Sequence, residues 1–121
     1  TDEGLIIELF ETDGVSLFSK GQAEPTPLFR DLVRMVARVS ASVTNNIAIS
    51  GHIQSHPVVL AQNPVWEMSY ARADAARTLL ESGGMKSSRI HRVTGHADRK
   101  LAATNPMSVR NNRVEIVLLR D

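Results

Sequence analysis

The chain opens on a nearly unbroken apolar run, Leu5-Ile6-Ile7-Glu8-Leu9-Phe10, which reads as a β-strand. Thr12-Asp13-Gly14 is a turn signal, and Val15-Ser16-Leu17-Phe18 is expected to fold back on that first strand. A loop then ends at Thr26-Pro27, where threonine suits a helix N-cap and proline the first helical position. Over residues 27–43, Leu28, Leu32, Met35, Val36, Val39 and Val43 recur at helical spacing, with Arg30, Asp31, Arg34 and Arg38 between them. Ile47 and Ile49 place a second strand at residues 47–50. A second helix is predicted from Asn63-Pro64 to Ser82, where Gly83-Gly84 stops it. Residues 89–95 form a third strand candidate and residues 112–119 a fourth. The fourth carries Val114, Ile116 and Leu118 on one face and Val117 and Leu119 on the other, as a central strand does.

The predicted order is β-α-β-α-β-β. Strands joined through helices run parallel with right-handed crossovers, whereas the last strand, preceded by a loop alone, should be antiparallel. The expected fold class is α+β: a two-layer sandwich in which two helices cover one face of a four-stranded mixed sheet. It is read as one domain over residues 1–121, with a strand-and-hairpin region at 1–26 and the core at 27–119. Two long loops, residues 52–63 and 96–107, leave from strand ends, and ligands of such sheets favour the carboxyl ends of parallel strands.

Composition excludes more than it identifies. Apolar residues are 42% and charged residues 22%, with a net charge of +1, which is ordinary for a globular domain and gives no basic footprint for nucleic acid. Trp66, Tyr70, Phe10, Phe18 and Phe29 are too few to build a base-stacking platform. With no cysteine there is no disulfide, thiol catalysis or cysteine-bound zinc. No apolar run is long enough to span a bilayer, and Asp2 and Glu3 stand where a signal peptide would have bases. The sequence reads as a piece from the middle of something longer. No nucleophile elbow, paired carboxylates or phosphate-binding glycine loop stands out, so no enzyme activity and no cofactor are expected.

One residue breaks the helical pattern. With Met68 set at the centre of the second helix's apolar stripe, Ala71, Ala75 and Leu79 fall beside it, and so does Arg72. Glu67, Tyr70, Asp74, Arg77 and Glu81 lie on the far side. A desolvated guanidinium without a partner costs several kcal/mol. On geometry alone, internal pairing with Glu8 or Glu115, or snorkelling to water, is favoured over an external carboxylate.

Four stretches carry a family resemblance: NIAISGH (residues 46–52), WEMSYARADAARTLLESGG (66–84), RIHRVTGHAD (89–98) and NNRVEIVLL (111–119). Together they resemble the OmpA/MotB C-terminal domain family, over about residues 4–119. Residues 4–23 and 95–116 look most like the stator branch of that family, the periplasmic part of a flagellar motor subunit. The resemblance implies a non-catalytic domain that binds peptidoglycan in the periplasm, acts as a homodimer, and belongs to an inner-membrane-anchored protein. The channel subunit MotA would be reached through a membrane segment upstream. It also implies that Arg72 is the ligand arginine, gripping a carboxylate of the diamino acid in the peptide stem, which reverses the reading from geometry.

Other positions follow residue by residue. Met68-Ser69-Tyr70-Ala71-Arg72-Ala73 matches the family's Leu-Ser-x-x-Arg-Ala element. Asn111, Asn112 and Arg113 match a closing Asn-Arg-Arg, with Asn112 in place of one arginine and read as structural. Gly51-His52 fits the strand-end motif, but Ile53 replaces its threonine and Gln54 its aspartate. Gln54 can hydrogen-bond but brings no charge, a loss on the order of 1–2 kcal/mol of affinity. The expected ligand-binding set is therefore Arg72, Gln54, Ile53, His52, Asn111, Arg113 and Asp98, the last offering a replacement carboxylate from the neighbouring loop. The alternative is a degenerate domain that has lost wall binding and serves in dimerisation or scaffolding. His52, His56, His96 and Asp98 are a metal set by residue type, but His-x-x-x-His lies in a proline-containing loop, and solvated histidines with no metal are expected.

Overall fold

A computed structural model of the protein describes residues 4–20, 22–54, 65–96 and 108–120. Strands β1 (Gly4–Phe10), β2 (Ile47–His52), β3 (Ile90–Gly95) and β4 (Arg113–Leu119) form one mixed sheet in the order β1-β4-β2-β3. β4 is central and antiparallel to both neighbours, while β2 and β3 are parallel, as the α+β reading requires. Helices α1 (Pro27–Ser40) and α2 (Val65–Ser82) cover one face. Val114 and Ile116 of β4 join the core with Ile47 and Ile49 of β2, and the alternate residues Arg113, Glu115 and Val117 point to the opposite face.

Helix starts and stops follow local chemistry. Thr26 Oγ1 accepts the Phe29 N–H at 3.3 Å, and Pro27 occupies the first turn. α1 ends at Ser40, short of the expected Val43, and Arg89 takes its last carbonyl. Arg89 Nη1 donates to the Ser40 oxygen at 3.0 Å, and Nε and Nη2 donate to Asn45. α2 closes at Ser82 with Gly84 at φ +104 and Met85 N–H donating back to Leu80 O at 3.1 Å.

Two buried faces differ from the sequence expectation. α1 turns Phe29, Val33, Val36, Ala37 and Ser40 inward, leaving Leu28, Met35, Val39 and Val43 exposed. The helix carries two apolar stripes, and the inner one is fixed by Phe29 against Phe18, ring centres 4.6 Å apart. α2 buries Ser69, Arg72, Ala73, Ala76 and Leu80, a face turned by about 100°, one residue position, from the expected stripe. Small residues win there because the helix lies very close to the sheet. A Cβ on Gly51 would stand 2.0 Å from the Ser69 carbonyl oxygen, and one on Gly95 would stand 2.5 Å from Ser69 Oγ. Residues 15–18 form no second strand. Thr12 and Val15 bridge across the Asp13-Gly14 turn, and Leu17 and Phe18 enter the core instead.

Candidate functional site

Arg72 stands in the first half of α2, on the margin of its buried face, and is 7% exposed. Its Nε donates to the Gln22 carbonyl oxygen at 2.9 Å, and its guanidinium carbon lies 4.8 Å from the centre of the Phe18 ring. Burial pushes its pKa below arginine's ordinary value, and the Glu11 carboxylate works against that. Among the described residues its two terminal nitrogens make no hydrogen bond. Neither internal partner considered from the sequence is used: Glu8 pairs with Arg110, and Glu115 pairs with Arg113 and His52.

Beside Arg72 a chain of polar contacts joins three distant segments. Glu11, just past β1, is 8% exposed. Its Oε2 accepts the Leu17 N–H at 2.9 Å and its Oε1 accepts from Asn112 Nδ2 at 2.9 Å. The same Nδ2 donates to Gln54 Oε1 at 2.6 Å, and the Gln54 N–H donates to Asn112 Oδ1 at 2.7 Å. The Glu11 N–H donates to the Asn112 carbonyl oxygen, which continues the β1–β4 ladder past the strand end. Arg72, Phe18, Glu11, Asn112 and Gln54 therefore gather at the carboxyl ends of β1 and β2 and the start of β4.

The remaining expected residues are dispersed. His52 and Arg113 lie on the sheet face away from the helices, as period-two alternation dictates. His52 is 2% exposed, with Nε2 at 3.3 Å from Glu115 Oε1 and its ring stacked on His96 at 4.7 Å. Arg113 Nε donates to Glu115 Oε2 at 3.2 Å. His52 foremost, then Arg113, holds the Glu115 carboxyl down at about 2 against the opposing effect of burial. Ile53 is buried. Asn111 is buried on a short 3-10 turn, Val109–Asn111, and its carbonyl accepts from Arg113 Nη1 at 3.5 Å. Asp98 and His56 lie outside the described residues, and so does most of both long loops. Among the described residues no three His, Cys, Asp or Glu side chains are placed to hold a metal ion.

Arg72 stood out because a charge in an apolar stripe is a local anomaly. Glu11, Phe18 and the bridging role of Asn112 were missed, since their contacts depend on which strands become neighbours. Asn112 was at least visible as a departure from the closing motif.

The fold and this arginine-centred cluster define a class, and residues 17–115 match the OmpA family model; the chain belongs to that family. Among curated relatives, the chain is 32% identical over 120 residues to Motility protein B of Escherichia coli K12. That alignment covers 97% of this chain but 39% of that protein, so the chain spans well under half of the relative's length. The crystal structure of the periplasmic domain of Helicobacter pylori MotB shares the fold at TM-score 0.80 and 20% identity, over 96% of this chain and 82% of that one. The cell wall anchor of the T6SS from Pseudomonas aeruginosa matches at TM-score 0.78 and 26% identity, over 96% of this chain and 81% of that one. Among the described residues no helix is long and apolar enough to cross a membrane.

Proposed function

We propose that this domain is a non-catalytic peptidoglycan anchor of a flagellar motor stator subunit, and that Arg72 grips a carboxylate of the stem-peptide diamino acid. The observation that carries this reading is the state of Arg72. Its Nε is spent on Gln22, its charge is desolvated, and its terminal nitrogens have no bond among the described residues. A guanidinium in that state suits a carboxylate taken by two parallel N–H···O bonds. The relatives support the setting: one is a motility protein, one a periplasmic domain, and one a cell wall anchor by name. A periplasmic location, assembly as a homodimer and association with a MotA-type channel subunit extend that same relationship to this chain.

Cosedimentation with purified peptidoglycan sacculi tests the proposal. Wild type should pellet with the sacculi, and Arg72→Ala, checked for folding, should bind at least tenfold more weakly, in line with about 1.5–3 kcal/mol for a charge-assisted hydrogen bond. Equal binding by the two proteins would refute it. The neutral Gln54 favours a second reading, a scaffold that has lost the wall ligand. Under that reading wild type stays in the supernatant while Gln54→Asp pellets.

A further inference from the structure

Resting on the homodimer reading alone, we infer that two copies join through the outer edge of β1 and the apolar stripe of α1 beside it, β1 against β1 and antiparallel, into one sheet with four strands from each copy. β1 ends the sheet, and among the described residues the outer edge of residues 5–10 meets no other strand. Over its seven residues β1 carries one charge, Glu8, which pairs with Arg110. The other edge strand, β3, exposes His91 and Arg92, side chains of the kind that guard an edge. Leu5 on β1 is 64% exposed, and Leu28, Met35 and Val39 on α1 are 43%, 59% and 65% exposed. Leu28, Leu32, Met35 and Val39 follow one another at intervals of four, three and four residues, the spacing of a seam between two helices. The seam lies roughly opposite Ala37 on the helix, and a Cβ on Gly83, just past α2, would stand 3.1 Å from the Ala37 Cβ. The seam therefore looks away from α2 and out over the β1 edge.

This face fits a copy of itself. Strands lie about 4.8 Å apart and packed helices about 8–10 Å, so a helix layer takes one helix for every two strands. Each copy has two helices on four strands, and pairing β1 with β1 continues both layers, with α1 beside α1 at ordinary packing distance. A two-fold axis at Ile7 keeps all seven residues of β1 in the new ladder. Leu5 of one copy then stands opposite Leu9 of the other, on the face that Ile7 and Leu9 already turn to the core. On the other face Glu8 meets Ile6 and not a second Glu8, so no like charges oppose each other. Each contact is repeated with the copies exchanged, as a two-fold interface requires.

Sedimentation equilibrium of the domain, joined to cysteine cross-linking, tests this. Wild type should sediment as a dimer. Met35→Glu combined with Val39→Glu, at positions exposed in the single chain, should weaken the dimer by about tenfold or more. The chain has no cysteine of its own, so Ile7→Cys reports on the axis: mild oxidation should link it into covalent dimers, while His91→Cys on β3 should stay unlinked. Both results are required. A wild-type dimer that the double substitution leaves intact, or that cross-links through His91→Cys and not Ile7→Cys, overturns this face and leaves the homodimer reading standing. Should Ile7→Cys fail to fold, the sedimentation comparison decides alone. A monomeric wild type overturns the face and the homodimer reading together, and leaves the wall-anchor reading to its own test.

Discussion

A single side-chain amide, that of Asn112, ties the end of β1 to the segment after β2. It donates to Glu11 and to Gln54 and accepts from the Gln54 backbone. Truncation to alanine removes all three bonds and leaves Glu11 Oε1, in a buried carboxylate, short of a donor. Asn112→Ala should lower stability by about 1–3 kcal/mol, read as a shifted urea midpoint; an unchanged midpoint would mean that water takes over each bond. Nothing local in the sequence marks this dependence, because Asn112 and Glu11 lie 101 positions apart. They meet only because β4 pairs with β1, with Arg113 opposite Phe10. Arg72 was legible for the opposite reason, since helical spacing alone sets it among apolar neighbours.

At the level of elements, the approach of α2 to the sheet places Arg72. Ser69, Ala73 and Ala76 let the helix settle on β2 and β3, where Gly51 and Gly95 leave room for it. A side chain at position 51 meets backbone rather than a flexible tip, so Gly51→Ala should cost about 3 kcal/mol, the upper end for overpacking, and loosen the Arg72 site with it. Thermal unfolding checks this; a loss under 0.5 kcal/mol would show that the helix can simply lift. The order of element types, the start of α1, the stop of α2 and the antiparallel last strand are readable from pattern, whereas the end of α1 is not. Nor is the rotation of α2, because alanine and serine are ambiguous on any hydrophobicity scale and backbone proximity decides their burial. α1 posed the converse problem: both its stripes are apolar, and the contact of Phe29 with the distant Phe18 selects one.

Across the whole molecule the sheet separates two polar groups. The helix-side end holds Arg72, Glu11, Asn112 and Gln54. The opposite face holds His52, Arg113 and Glu115, paired among themselves. The second group governs acid stability. The Glu115 carboxyl titrates at about 2 in the folded chain against an ordinary 4.5. A depressed folded value means that its stabilising contribution is full above about 4.5 and is lost as pH falls toward 2. The melting temperature of wild type should therefore drop more steeply through that window than that of Glu115→Gln; parallel curves would show that another group controls the acid limb. The first group is the proposed ligand site, and the central claim is that a stem-peptide carboxylate docks there and not at the histidine face. The most direct measurement is a nuclear magnetic resonance titration of the labelled domain with a stem tripeptide, following the Arg72 side-chain N–H signals and the Gln54 and Asn112 amides. Saturable shifts concentrated on Arg72, Gln54 and Asn112 are the predicted result. Shifts centred on His52 and His96 with Arg72 unmoved would contradict it.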